Sequence, residues 1–350
     1  MLAYILKRLL IAIPTLLGIT IMVFVIINLA PGSPIEQKIQ NLRFASGAGG
    51  EGSAASSASA SGTKSSAGGV SQEVLDALNR QYGFDKPMLT RYGIWLKNLA
   101  RLDFGKSFQY QDSTLKVIVS KFPVSLMFGI TSFILSYLIC IILGVFLALK
   151  DNTGIDRVAS FFLFVAYSIP PFMLAILLIV YFAGGSFWSF FPTGGLISDY
   201  YDDLSSFEKI GDRLSHMILP LLCYMIGSFT SLTVLVKNSL LEEIKKDYIR
   251  TARAKGVTER RVIFHHALRN SLIPLVAGMG SFLSVFFAGS LFLETIFQLD
   301  GIGLLGYKSV LSRDYNVLMA LVFLQSVAML LGNLFSDIIY TVVDPRIDFK

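Results

Sequence analysis

Long apolar runs divided by short polar stretches set the pattern of this chain. Six runs are long enough to cross a bilayer as helices, approximately Leu9–Ala30, Val124–Leu149, Val158–Ala183, Met217–Val236, Leu272–Phe297 and Val317–Val342. About 20 apolar residues in helical form span the roughly 30 Å hydrocarbon core. The pattern predicts an all-α polytopic membrane protein with six transmembrane helices. Lys7 and Arg8 precede the first run as they would in a signal peptide. That run is too long for a signal core and no A-x-A cleavage site follows, so it reads as a membrane helix kept in the mature chain.

The segment between the first two runs, 31–123, divides in two. Residues 45–71 are nearly all Gly, Ala and Ser, which cannot bury a core, and a flexible excursion is expected there. After it, Val74, Leu75 and Leu78 fall at helical spacing behind Ser71, a possible N-cap. Ile94, Trp95, Leu96 and Leu99 predict a second amphipathic helix, lying along the outer membrane surface or building a small cap. The organisation expected is a first helix (1–30), an external segment (31–123), a five-helix core (124–342) and a short tail (343–350). Within that core the loop 237–270 is polar.

Prolines and small residues refine the spans. Pro123 and Pro274 stand near predicted span starts, where a missing N–H costs least. Pro170 and Pro171 fall inside the third span and should kink or break it. Such a bend is either a packing device or part of a substrate path, with Tyr167 and Ser168 beside it as path candidates. In the fifth span Ala277, Gly280, Ser281, Ser284 and Ala288 share one helical face, which allows close helix packing within the chain or against a second subunit. Glu294 and Asp337 are acids near span ends. Glu294 is expected toward the outside, where it either meets an amine of a substrate or serves as an interfacial helix-end charge.

Composition agrees with a membrane protein: 53% hydrophobic, 15% charged and a mean hydropathy of +0.63. The formal net charge of +6 would suggest nucleic acid in a soluble protein. Here the cations flank the spans, which is the positive-inside pattern, and no nucleic-acid partner is expected. Basic residues before the first span, between the second and third, after the fourth and at the end of the chain place both termini in the cytoplasm. Cys140 and Cys223 lie in apolar runs and read as buried small hydrophobes, not a disulfide or metal pair.

Enzyme motifs fail. FGKS at Phe104–Ser107 matches a P-loop tail, but Ala100 occupies the position of the first glycine and the segment is predicted external. His265 and His266 are adjacent, not in an H-E-x-x-H arrangement, and no G-x-S-x-G elbow occurs. No catalytic residue, metal site or cofactor of its own is assigned to the chain.

The informative segment is the loop from Lys237 to Arg269. Leu240, Leu241 and Ile244 form one apolar stripe, and Tyr248, Ile249 and Ala252 a second, shorter one. Gly256 stops that helix and Thr258 can cap the next, where Val262, Ile263, Phe264 and Leu268 begin another amphipathic run. A solvated loop that only sets topology would not need these stripes. The pattern calls for a partner protein.

At this loop the chain resembles the permease subunits of binding-protein-dependent ABC importers. Their mark is an E-A-A-x-x-x-G element that docks in a cleft of the ATPase; here Arg250, Thr251 and Ala252 stand where E-A-A would be, before Arg253, Ala254, Lys255 and Gly256. RTARAKG is similar to the peptide/nickel branch, which usually lacks the Glu, so no Glu contact carries over. LAPGSP at 29–34, ETIFQLDGIGLLGY at 294–307, SRDYNVLMA at 312–320 and YTVVDPRIDF at 340–349 extend the resemblance across the chain. The Gly-rich insertion, FAGGS, VKNSLLEE and DPRIDF are similar to the Yej-type subgroup, whose members import oligopeptides and microcin C.

The resemblance implies a type I importer permease fold in the bacterial inner membrane. It implies a second, non-identical permease, an ABC ATPase with two fused nucleotide-binding domains holding ATP and Mg, and a periplasmic peptide-binding protein. Tyr248 to Gly256 would dock on the ATPase, and lipid would surround the spans. A nickel or other small-solute permease of the same branch, an ion-coupled secondary transporter and a membrane-embedded enzyme are the competing readings.

Overall fold

The computed structural model describes residues 2–29, 86–185, 187–279 and 289–343. Among them the fold is helical, with one isolated antiparallel bridge between Lys106 and Ser113. The helices are α1 (Leu2–Leu29), α2 (Met88–Leu99), α3 (Thr114–Leu149), α4 (Gly154–Ser168), α5 (Pro171–Phe182), α6 (Ser206–Ile244) and α7 (Asp247–Ala254). Then α8 (Glu259–Arg261) runs through a π-helical stretch, Val262–Ala267, into α9 (Leu268–Ser271). The last four are α10 (Ile273–Gly278), α11 (Leu291–Ile296), α12 (Ile302–Leu311) and α13 (Tyr315–Val343).

Four of these contain stretches long and apolar enough to cross a membrane alone: Tyr4–Leu29, Thr114–Leu149, Ser206–Ile244 and Tyr315–Ile339. The predicted third span is not one helix. It is α4 and α5, set at 101° to each other. Ile169 and Pro170 leave helical geometry with ψ of 120° and 136°, and Pro171 opens α5 at its first turn. The residue before a proline is disfavoured in the α region, and two prolines in succession impose that twice. The predicted fifth span is helical at its two ends, in α10 and α11, and its centre lies outside the described residues, as do the Gly/Ala/Ser stretch and the helix expected after Ser71.

The helix ends depart furthest from the sequence pattern. Helix α3 begins well before the apolar run, so Pro123 lies inside it and not at its start. Helix α6 begins at a polar cap where the Glu208 carboxylate accepts from the Ser205 N–H at 2.9 Å and from its hydroxyl at 2.7 Å. At 1.5 Å per residue the 39 residues of α6 extend about 58 Å, nearly twice the hydrocarbon thickness. Part of α6 therefore projects out of the lipid.

The chain divides into two compact units. The larger holds residues 1–16, 118–306 and 323–350 and has two apolar clusters. One gathers Phe128, Leu219, Cys223, Leu293, Phe297 and Leu299. The other gathers Val145, Ala148, Val236, Leu240, Ile249, Val262, Ala267 and Leu275. At the second cluster α3 and α6 approach so closely that a Cβ on Gly144 would stand 2.7 Å from Val236 Cβ and 2.9 Å from the Thr233 carbonyl oxygen. Both cysteines are buried free thiols.

The smaller unit, residues 17–117 and 307–322, packs α2 on the second half of α1. The hydroxyls of Thr20 and Tyr92 meet at 3.0 Å, and the rings of Phe24 and Tyr92 stand edge to face at 5.2 Å. In the same unit the fully buried Asp314 carboxylate accepts from Ser107 Oγ, from the Gln109 N–H at 3.1 Å and from the Val317 N–H at 3.3 Å. It thus caps α13 and pins the FGKS loop to the start of that helix.

Candidate functional site: helix α7

Helix α7 is too short to be stable alone. Its neighbours hold it. Ile249 is fully buried, and Ala252 packs beside it against the ends of α3 and α6. Tyr248 Oη donates to Glu243 Oε1 at 2.6 Å and accepts from Asn270 Nδ2 at 3.0 Å, tying α7 to α6 before it and α9 after it. Partial burial and the bond to the Glu243 carboxylate push the Tyr248 phenol up to about 12. Lys246 Nζ bonds Glu243 Oε2 at 2.5 Å, so one buried carboxylate anchors both sides of the turn into α7.

The end of α7 is equally defined. Gly256 takes φ +76°, a left-handed conformation in which a Cβ is penalised. The Gly256 N–H donates to the Arg253 carbonyl at 2.9 Å and the Val257 N–H to the Ala252 carbonyl at 3.3 Å, the two bonds of a Schellman stop. Arg253 reaches across the turn in a two-bond fork to Glu259, Nε to Oε2 at 3.0 Å and Nη2 to Oε1 at 2.6 Å. That bond holds the Glu259 carboxyl below its ordinary range. Thr258 stands at the N-cap of α8 as expected, though its side chain makes no capping bond.

What α7 leaves outward is polar and mostly cationic. Arg250, Thr251, Arg253, Ala254, Lys255 and Gly256 are all exposed, as are Arg260, Arg261 and Arg269 nearby. Arg250 pairs only loosely, with Asp247 at 3.5 Å. Held on one side and basic on the other, α7 presents its cations to the surroundings. No group of three or more potential metal ligands occurs among the described residues.

A model of the binding-protein-dependent transport system inner membrane component family matches residues 140–349, a span that contains α7. The chain belongs to this permease family. Over 99% of its length it is 44% identical to a peptidoglycan transport system permease protein, YejB, of Agrobacterium fabrum, covering 98% of that protein. It is 43% identical to the inner membrane ABC transporter permease YejB of Escherichia coli O157:H7, with 99% of each chain covered. Over the full length of both chains it is 35% identical to the oligopeptide permease AppB of Bacillus subtilis.

The residues picked out along the permease's path do not form one cluster. Tyr167, at the end of α4, is 58% exposed and lines a groove of about 390 Å³ with Phe164, Thr230, Ser231, Val234, Leu235 and Asn238. Ser168 Oγ donates to the Phe164 carbonyl at 2.8 Å, and Pro170 and Pro171 form the break that follows. Glu294 is elsewhere and 1% exposed. Its Oε2 accepts from the Leu304 N–H at 2.7 Å, while Ser125 Oγ reaches Oε1 at 3.3 Å and takes the Ile302 N–H at 2.8 Å. Glu294 and Ser125 thus satisfy first-turn amides of α12, where the helix dipole favours a negative charge. On the fifth-span face, Ala277 is buried and its carbonyl accepts from Ser336 Oγ of α13. Gly280, Ser281, Ser284 and Ala288 lie outside the described residues.

Asp337 is paired with Arg8 Nη2 at 2.7 Å and accepts from Tyr4 Oη at 2.9 Å, joining α13 to α1. Sequence reasoning missed Glu243, Asn270 and Asp314 as organising residues. Each acts on a residue or amide whose proximity depends on a turn geometry that periodicity does not encode.

Proposed function

We propose that this chain is a permease subunit of an ATP-driven peptide importer, with α7 as the element that docks on the ATPase. The geometry of α7 carries the reading: a helix buried on one side, stopped by a left-handed glycine and basic on the other. Full-length similarity to Yej-type and oligopeptide permeases supports the cargo class. The chain does no bond chemistry. ATP and Mg are held by a partner ATPase with two nucleotide-binding domains. A second, non-identical permease completes the path, and a periplasmic peptide-binding protein delivers cargo. Both termini and α7 face the cytoplasm, and the chain crosses the inner membrane six times. Closure of the nucleotide-binding domains moves α7 as a rigid lever and shifts the spans between inward- and outward-facing states.

Affinity purification in mild detergent tests the assembly. Recovery of a second permease with an ABC ATPase is the expected result; recovery of this chain alone, active on an ion gradient, overturns it. The name of the Agrobacterium relative adds a second cargo, a peptidoglycan fragment. Competition between an unmodified oligopeptide and such a fragment for uptake discriminates the two.

A further inference from the structure

Lys237 reads in the sequence as one more cation that sets topology. In the fold it turns inward. Its Nζ lies 2.6 Å from Asp156 Oδ1 and 3.2 Å from Asp151 Oδ1, with the Lys237 and Asp156 side chains only 15% and 8% exposed. Asp156 is itself fixed: Oδ2 accepts from the Asn152 N–H at 3.2 Å, Oδ1 from Ser160 Oγ at 3.4 Å, and its own N–H donates to the Thr153 cap at 3.4 Å. The three charges join α6 to the turn between α3 and α4.

Two further contacts continue the seam. Thr230 Oγ1 donates to the Leu163 carbonyl at 2.8 Å, crossing from α6 to α4, and Gly144 of α3 lies flush on Val236 of α6. The same stretch of α6 contributes Val236 and Leu240 to the apolar cluster that holds Ile249 of α7. Apolar contacts alone let one helix rotate or slide on another. A partly buried ion trio has one geometry and costs desolvation when it is broken without replacement. The block ends where α4 ends, at the break before α5.

We propose that Lys237, braced on Asp156 and Asp151, is a positioning residue for transport: it locks the ends of α3, α4 and α6 into the block that carries α7, so that movement of α7 is delivered to the α4–α5 break. This rests on the docking role of α7 proposed above. The lock acts through rigidity, not by touching cargo. Its loss separates ATP hydrolysis from uptake and leaves the docking surface itself in place.

The test uses the complete complex in proteoliposomes, reading labelled oligopeptide taken up per ATP hydrolysed, with co-purification of the ATPase as a second readout. Lys237→Met and Asp156→Asn should each keep the ATPase bound and lower uptake per ATP by about fivefold or more, while Lys237→Arg stays within about twofold of the unaltered complex. An unchanged ratio in both disruptive variants overturns the proposal. So does an Arg variant as deficient as Met, or loss of assembly with a normal ratio in whatever complex remains. Absence of ATP-driven peptide uptake by the unaltered complex would instead overturn the docking reading on which the proposal stands.

Discussion

At Gly256 the backbone sits at φ +76°, and open space surrounds the position where a Cβ would be. The cost of any side chain there is therefore conformational and not steric. Gly256→Val should cost about 1–2 kcal/mol, while Gly256→Asn, whose side chain tolerates the left-handed region, should cost less. Thermal unfolding of the purified complex ranks the two. Glu294 makes a different case. Glu294→Ala strips the Leu304 N–H of its acceptor inside a buried site, an expected loss of about 1–3 kcal/mol. Glu294→Gln keeps an acceptor for the Leu304 N–H, turns its NH2 toward the Ser125 and Tyr224 hydroxyls, whose oxygens can accept from it, and loses the charge at the start of α12, with a cost below about 1 kcal/mol. Equal destabilisation by the two would contradict the capping role. Gly256 was legible in the sequence because a glycine after an amphipathic run has one ordinary use. The inward aim of Glu294 was not, because the amides it meets belong to a helix that begins only after the chain has turned back.

The elements were legible in proportion to their hydrophobic content. Apolar runs located α1, α3, α6 and α13, and the proline pair located the break between α4 and α5. The first turns of α3 and α6 were missed because they extend past the apolar run into sequence with Lys116, Lys121, Glu208 and Asp212, where hydropathy falls while helix geometry persists. For α7 the decisive residue is Ile249. Ile249→Ala should cost about 2–4 kcal/mol of local stability and free α7 from the cluster beneath it. The chain should still insert, and the ATPase should no longer co-purify. Retained ATPase would show that α7 docks without this anchor. Tyr248 gives the same element a pH signature. Its phenol ionises near 10 when unfolded and is raised to about 12 in the fold, so its contribution is fully present below pH 10 and is lost as pH climbs to about 12. Subtracting the Tyr248→Phe stability profile from that of the unaltered protein should isolate a loss confined to that window.

At the scale of the whole molecule, similarity over the full chain makes the protein a member of a permease family. The long α6 and its neighbours carry a short basic helix, and α4 and α5 meet at a near-right-angled break. In the function proposed, force enters this arrangement from a separate ATPase through α7. The direct measurement is uptake of a labelled oligopeptide into proteoliposomes holding the complex purified on this chain, with ATP or an ion gradient as the only energy source. Uptake is expected with hydrolysable ATP and none with the gradient alone. Uptake that follows the gradient and ignores ATP would contradict the proposed function.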